Sequence, residues 1–178
     1  AVIIDGHVLY GATGNVGEIG HMNMYREGRP CRCGSSGCLG RYVSALGLVN
    51  TVKERIRGGE TSILTEWTKG ILENITASMI SEAYDLNDRT AVAAMHETGE
   101  ILGFGLVNVM NLYNPEIIII GGGMSAAGER LLKKARTIVN ERAIRISCEA
   151  CEIVTASLGD SAGMLGAAVY ASTRHQLV

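Results

Sequence analysis

No apolar run in this 178-residue chain approaches the ~20 residues that a membrane-spanning helix needs. Charge of one sign is missing too. Sixteen Lys and Arg stand against 18 Asp and Glu, a formal net charge of −2, whereas a domain that grips phosphates is normally basic along one face. Nothing resembles a secretory signal, so the five cysteines do not read as a disulfide framework, and an odd number cannot all pair. No internal repeat, low-complexity tract or linker interrupts the chain. These absences argue against a membrane protein and against nucleic acid bound by this chain, and they predict a cytoplasmic protein. Residues 1–178 read as a single domain, long enough to bury one sizeable core.

What is present is concentrated between Gly17 and Cys38. Glu18 and His21 are followed by Cys31, Cys33 and Cys38 in a loop punctuated by Gly28, Pro30, Gly34 and Gly37. Cys31 and Cys33 flank one arginine, so a turn can aim both sulfurs at one point. The glycines then let the chain curl back to deliver Cys38. His21, Cys31, Cys33 and Cys38 form a complete tetrahedral donor set for zinc, with no position left for a substrate, so the expected site is structural rather than hydrolytic.

The same residues carry a resemblance. Glu18-Ile19-Gly20-His21, then Cys31-x-Cys33-Gly34-x-x-Gly37-Cys38-Leu39, is similar to the signature of the ROK family of bacterial sugar kinases and sugar-responsive repressors. Asn114-Pro115, Ile117 to Ile120 and Gly121-Gly122-Gly123 resemble the family's second glycine motif. Leu158-Gly159-Asp160-Ser161-Ala162-Gly163, with Gly166-Ala167-Ala168, resembles the start of its C-terminal helix. One position departs from the pattern: the family usually has a glutamate two residues after the last cysteine, and here Gly40 stands there.

Ala1 to Tyr10 reads as a β-hairpin turning on Asp5-Gly6. Gly11 to Gly17 is either a ligand-side loop that lets backbone approach a sugar or a flexible connection. Tyr42, Leu46, Val49, Val52 and Ile56 form one helical stripe that Gly58-Gly59 ends. Residues 60–70, with the only tryptophan, Trp67, read as polar surface cover, and Ile71 to Leu86 as a further helix. Asn87-Asp88 caps a long helix from Ala91 to Tyr113, whose Gly99, Gly103 and Gly105 fall on nearly one face and predict close packing. Four isoleucines, Ile117 to Ile120, predict a strand buried on both faces. The glycine triplet then turns into a helix from about Ser125 with a stripe of Leu131, Leu132, Ala135, Ile138 and Val139. Such a turn is either tight packing or a nucleotide-binding corner. Ser147 to Ala156 reads as a strand. Its Cys148-x-x-Cys151 pair reads as small, buried or half-buried thiols rather than a redox centre. Asp160 and Ser161 read as the cap of a last helix, Ala162 to about Ser172, and the tail after Arg174 reads as loose.

The alternation predicts an α/β fold with a largely parallel sheet. The resemblance implies the C-terminal lobe of a ribonuclease-H-like fold, of the actin-like ATPase and hexokinase type, with an N-terminal lobe missing from this chain. It implies a structural zinc and a small-molecule sugar gripped by Glu18 and His21. In a kinase it also implies ATP and Mg²⁺, the nucleotide bordering Gly121, Gly122 and Gly123. The catalytic base would then lie outside this chain, which alone would be inactive. In a repressor the same lobe would sense sugar and oligomerise. Dimers and tetramers are common in the family.

Overall fold

The computed structural model describes residues 1–174, so the chain's last four residues, where the loose tail was expected, lie outside the described residues. The chain opens on the expected hairpin. Strands β1 (Ile3–Ile4) and β2 (His7–Val8) pair antiparallel. Asp5 and Gly6 turn between them with φ of 51° and 76°, the left-handed pair that a two-residue hairpin needs.

The expected helix after Cys38 is two helices. α1 (Gly40–Val43) stops at Ser44, and α2 (Ala45–Arg57) starts again with the Ser44 hydroxyl accepting from the Gly47 N–H. That restart rotates the stripe. Leu46 is 67% exposed, and Leu48 is fully buried in its place beside Val49 and Val52. Residues 60–70 are less superficial than their polarity predicts, because α3 (Ile63–Trp67) sinks Leu64 into the core. The helix read over Ile71 to Leu86 is shorter. A 3₁₀ turn (Leu72–Asn74) precedes α4 (Ala77–Asp85), capped by Thr76, and Ile71 is exposed.

The spine is α5 (Arg89–Tyr113), capped by Asp88 and ended by Asn114 in the left-handed region, φ 46°. Its glycines do pack closely, on two sides rather than one. A Cβ on Gly103 would lie 2.6 Å from the Ile138 Cβ on α6 (Glu129–Arg142), and one on Gly105 would lie 2.7 Å from the Leu39 Cδ2 beside the cysteine loop. The stripe expected on α6 is buried at all five positions. The core is therefore a layer of α2, α4, α5 and α6, centred on residues such as Leu48, Met95, Met110 and Leu132.

Strand β3 (Ile117–Ile120) pairs in parallel with β4 (Glu152–Thr155). Among the described residues the sheets are these two pairs rather than one larger sheet. β3 is buried on one face only. Ile118 and Ile120 pack on the core while Ile117 and Ile119 are exposed. The helix after the glycine triplet begins at Glu129, four residues later than expected, because a 3₁₀ turn (Gly123–Ala127) intervenes. The strand expected from Ser147 begins at Glu152, since Arg145–Ala150 is helical (α7). The last helix, α8 (Ala162–Arg174), follows a 3₁₀ turn at Gly159–Ser161 and leaves Met164, Leu165 and Val169 exposed.

Candidate functional site

A short ladder closes the loop between His21 and Cys38. The Leu39 N–H donates to the Met22 carbonyl and the Met24 N–H to the Gly37 carbonyl, each at 2.8 Å. Leu39 and Tyr42 pack with Ile101 of α5 against Ile19, Met22 and Met24, a second small core under the loop. Inside the loop the Cys31 N–H donates to the Ser35 carbonyl and the Gly34 N–H to the Cys31 carbonyl, which folds Cys31 and Cys33 toward the same point. Gly37, at φ 74°, faces the Tyr25 carbonyl where no side chain would fit.

The ladder and turn bring together all four predicted donors. The ligand atoms of His21, Cys31, Cys33 and Cys38 lie within 4.8 Å of one another. The His21 Nδ1 is 3.6 Å from the Cys31 Sγ, and the Cys33 and Cys38 sulfurs are 3.6 Å apart. A tetrahedral ion with zinc–sulfur and zinc–nitrogen bonds of ~2.3 and ~2.0 Å requires donor separations of about 3.5–3.8 Å. The residues present fit that cation. All five cysteines are free thiols, and the two in contact here are far beyond disulfide length. The electrostatics divide the set. The backbone N–H of Cys33, helped by the neighbouring thiols and His21, holds the Cys31 thiol down to about 6 against its desolvation. Burial, reinforced by Cys33 and Cys31, pushes Cys38 up to about 11.

Arg29 fastens this loop to the helices. Its Nη1 donates to the carbonyls of Arg41 and Gly47, its Nη2 to the Thr51 hydroxyl and to Glu54, and its Nε to Glu54. The guanidinium also lies 4.7 Å from the centre of the Tyr42 ring, whose hydroxyl accepts from the Arg29 N–H. Sequence reading missed this residue because its partners lie 12 to 25 positions away.

Beside the donors is a cavity of about 370 Å³ lined by Glu18, Gly20, His21, Cys31, Arg32, Gly40 and Arg41. Glu18 stands at the start of the 3₁₀ turn Ile19–His21. Its Oε2 is 3.8 Å from the His21 Nε2, so the imidazole shows one nitrogen to the sulfurs and the other to the carboxylate. Gly40 lines the same wall and offers no side chain. Arg32 and Arg41 were not singled out from the sequence, although one sits between two cysteines and the other beside Gly40.

The other predicted groups lie elsewhere. Gly123 and Met124 line a cavity of about 200 Å³ with Ala77, Ser78 and Ser81, while Gly121 and Gly122 are exposed in the turn before it. Cys148 and Cys151 are half-buried, with the Cys148 thiol donating to Asn140 and the Cys151 thiol raised by burial.

A family model described as "ROK family" matches residues 1–174. The chain belongs to the ROK family. It is 35% identical to a glucokinase of Halalkalibacterium halodurans over 93% of this chain and 50% of that protein. It is 33% identical to a xylose repressor of Caldicellulosiruptor bescii over 93% of this chain and 41% of that one. Among solved structures it is similar to a ROK family glucokinase from Streptomyces griseus in complex with glucose and AMPPNP, with a TM-score of 0.83, 32% identity, and coverage of 94% of this chain and 55% of that one. The chain thus spans about half the length of the ROK relatives it matches, and its α/β fold is that of ROK sugar kinases. No helix among the described residues is long and apolar enough to cross a membrane.

Proposed function

We propose that this chain is the sugar-binding lobe of a longer ROK protein, an ATP-dependent kinase of a hexose or N-acetylhexosamine. The observation that carries this is the two-sided placement of His21, with Nδ1 toward Cys31 and Nε2 toward Glu18 on the cavity wall. His21, Cys31, Cys33 and Cys38 would hold a structural zinc that fixes the ring's orientation. Nε2 then keeps a proton to donate to a sugar oxygen, as second-nitrogen hydrogen bonds of metal-bound histidines do. The Glu18 carboxylate accepts from vicinal hydroxyls.

In this reading ATP with Mg²⁺ supplies the transferred phosphoryl group and neutralises charge as it moves. The turn at Gly121, Gly122 and Gly123 and the cavity it shares with Ser78 and Ser81 suit the nucleotide's edge. The carboxylate base that takes the hydroxyl proton comes from outside residues 1–178. Support for a second lobe is the apolar surface left exposed on β1, on β3 and on α8, at Ile3, Ile119 and Met164 among others. A homo-oligomer, dimer or tetramer, and a cytoplasmic location are part of the same proposal.

Gly40 favours a second reading, a sugar-sensing and oligomerising lobe of a repressor. Losing the usual glutamate removes one or two charge-assisted hydrogen bonds to sugar, each worth roughly 1.5–3 kcal/mol. Calorimetric titration of the zinc-loaded chain with a panel of monosaccharides tests the shared core. Glu18→Gln is expected to weaken binding at least tenfold, and an unaffected affinity would place the sugar elsewhere. ATP-dependent phosphorylation by residues 1–178 alone would contradict the kinase-lobe reading.

A further inference from the structure

Away from the His21 cluster, two more thiols share a cavity. Cys148 lies in α7 and Cys151 ends that helix, its N–H reaching the Cys148 carbonyl at 3.4 Å. Both line a cavity of about 110 Å³ between α5, α6 and β4, together with Met110, Arg136 and Asn140. Both thiols are free and half-buried. Burial raises the Cys151 thiol, the nearby Cys148 charge raises it further, and a backbone hydrogen bond from Ile118 favours its thiolate. The two sulfurs therefore feel each other across the cavity.

The wall's composition decides the chemistry. The space is far below the roughly 300–1,000 Å³ of organic-ligand pockets, so it suits an ion or a few waters. No carboxylate and no imidazole is among its lining residues, so a hard cation finds nothing to hold it. Zinc takes four donors from thiolate, imidazole and carboxylate, and here only two qualify. Thiolate and thioether together are the donors that select copper(I). That ion is satisfied by two thiolates in line or by three sulfurs in a plane.

The surroundings suit the charge that results, because copper(I) between two thiolates carries −1. Arg136 is held at the cavity by its Nη2, which donates to the Ile153 carbonyl at 3.2 Å, while its Nη1 is bonded to Glu129. The Asn140 Oδ1 accepts from the Cys148 thiol at 3.3 Å. Once that proton has left, the amide can turn its NH₂ to the thiolate instead. Hydrogen bonds of this kind orient metal ligands.

We propose that Cys148 and Cys151 form a copper(I) site, with Met110 beneath them as the third soft donor. One Cu⁺ replaces two thiol protons, which pass to solvent, and no electron is transferred. The site is separate from the cluster of His21, Cys31, Cys33 and Cys38 and does not depend on the sugar reading. Binding fastens the end of α7 and the start of β4 to α5.

The test titrates the zinc-loaded chain with copper(I), without oxygen, against a chromophoric copper(I) chelator, followed by metal analysis and X-ray absorption at the copper edge. The expected result is one copper per chain in an all-sulfur shell with the zinc retained, and a Tm that rises with copper. Cys148→Ser/Cys151→Ser should lose at least about a hundredfold in copper affinity and keep its zinc. Met110→Leu, which conserves volume, is expected to lose about tenfold and to take the shell from three sulfurs to two. Thermal unfolding without copper separates loss of the site from loss of fold, and the spectrum of the unaltered chain stands without the variants. Copper taken up only as zinc leaves would put it on the His21 cluster and overturn the inference. Nitrogen or oxygen in the copper shell, undiminished binding by the double serine variant, an unchanged shell in Met110→Leu, or no uptake would each overturn it as well.

Discussion

Arg29 and Glu54 meet in a two-bond ion pair, Nε to Oε1 at 3.1 Å and Nη2 to Oε2 at 2.6 Å, which ties the cysteine loop to α2. The Arg29 side chain is 13% exposed and Glu54 58%, so the pair itself contributes at most about 1 kcal/mol. More depends on the Arg41 carbonyl, which would be left short of a donor, whereas the Gly47 carbonyl keeps the bond from the Thr51 hydroxyl.

Arg29→Met is therefore expected to cost about 2–3 kcal/mol, because an unmet buried acceptor costs about 1–3 kcal/mol and the ion pair is lost with it. For a chain of this size that lowers Tm by roughly 5–10 °C. Glu54→Gln should cost under about 1 kcal/mol. Thermal unfolding of the two variants side by side is the check, and equal losses would mean that the ion pair, not the carbonyl capture, holds the loop.

Gly103 gives a sign test of helix packing. In an open helix an alanine there would add about 1 kcal/mol of stability. Here its Cβ would meet the Ile138 Cβ at 2.6 Å and the Ala135 carbonyl at 2.9 Å, an overpacking worth about 1–3 kcal/mol. Urea unfolding of Gly103→Ala should show a net loss of up to about 2 kcal/mol. A gain would mean that α5 and α6 do not approach so closely.

Much of this packing and of the metal cluster was legible in the sequence because it is local. The α6 stripe repeats within one helix, and three cysteines and a histidine lie within 18 residues, so spacing alone places them. The α2 stripe was misread because Ser44 looks like an ordinary helix residue, yet its hydroxyl caps a new start and turns Leu46 outward. Composition predicts an isoleucine strand buried on both faces, yet among the described residues only Ile118 and Ile120 pack on the core while Ile117 and Ile119 are exposed, and strand composition does not say which face a neighbour covers. Arg29 and Arg41 carry no local signal. One is defined by partners on other elements, and the other by a buried Nε without one.

Metal capture should release protons. The Cys31 thiol, held down to about 6, is already thiolate at neutral pH, whereas Cys38, pushed up to about 11, is protonated until a metal binds. Ligation needs the thiolate, so at least one proton leaves on binding and affinity rises with pH across the neutral range. Zinc calorimetry at pH 7.5 in two buffers of different ionisation enthalpy should show that release. Zinc affinity that stays flat from pH 6 to 8 would contradict it.

The central claim is that His21, Cys31, Cys33 and Cys38 close on one ion and thereby aim His21 at the neighbouring cavity. X-ray absorption at the zinc edge of the purified chain addresses it most directly. The expected result is one zinc per chain with three sulfurs at ~2.3 Å and one nitrogen at ~2.0–2.1 Å, the nitrogen lost in His21→Ala. A shell of four sulfurs, a shell dominated by oxygen, or no bound zinc would contradict it.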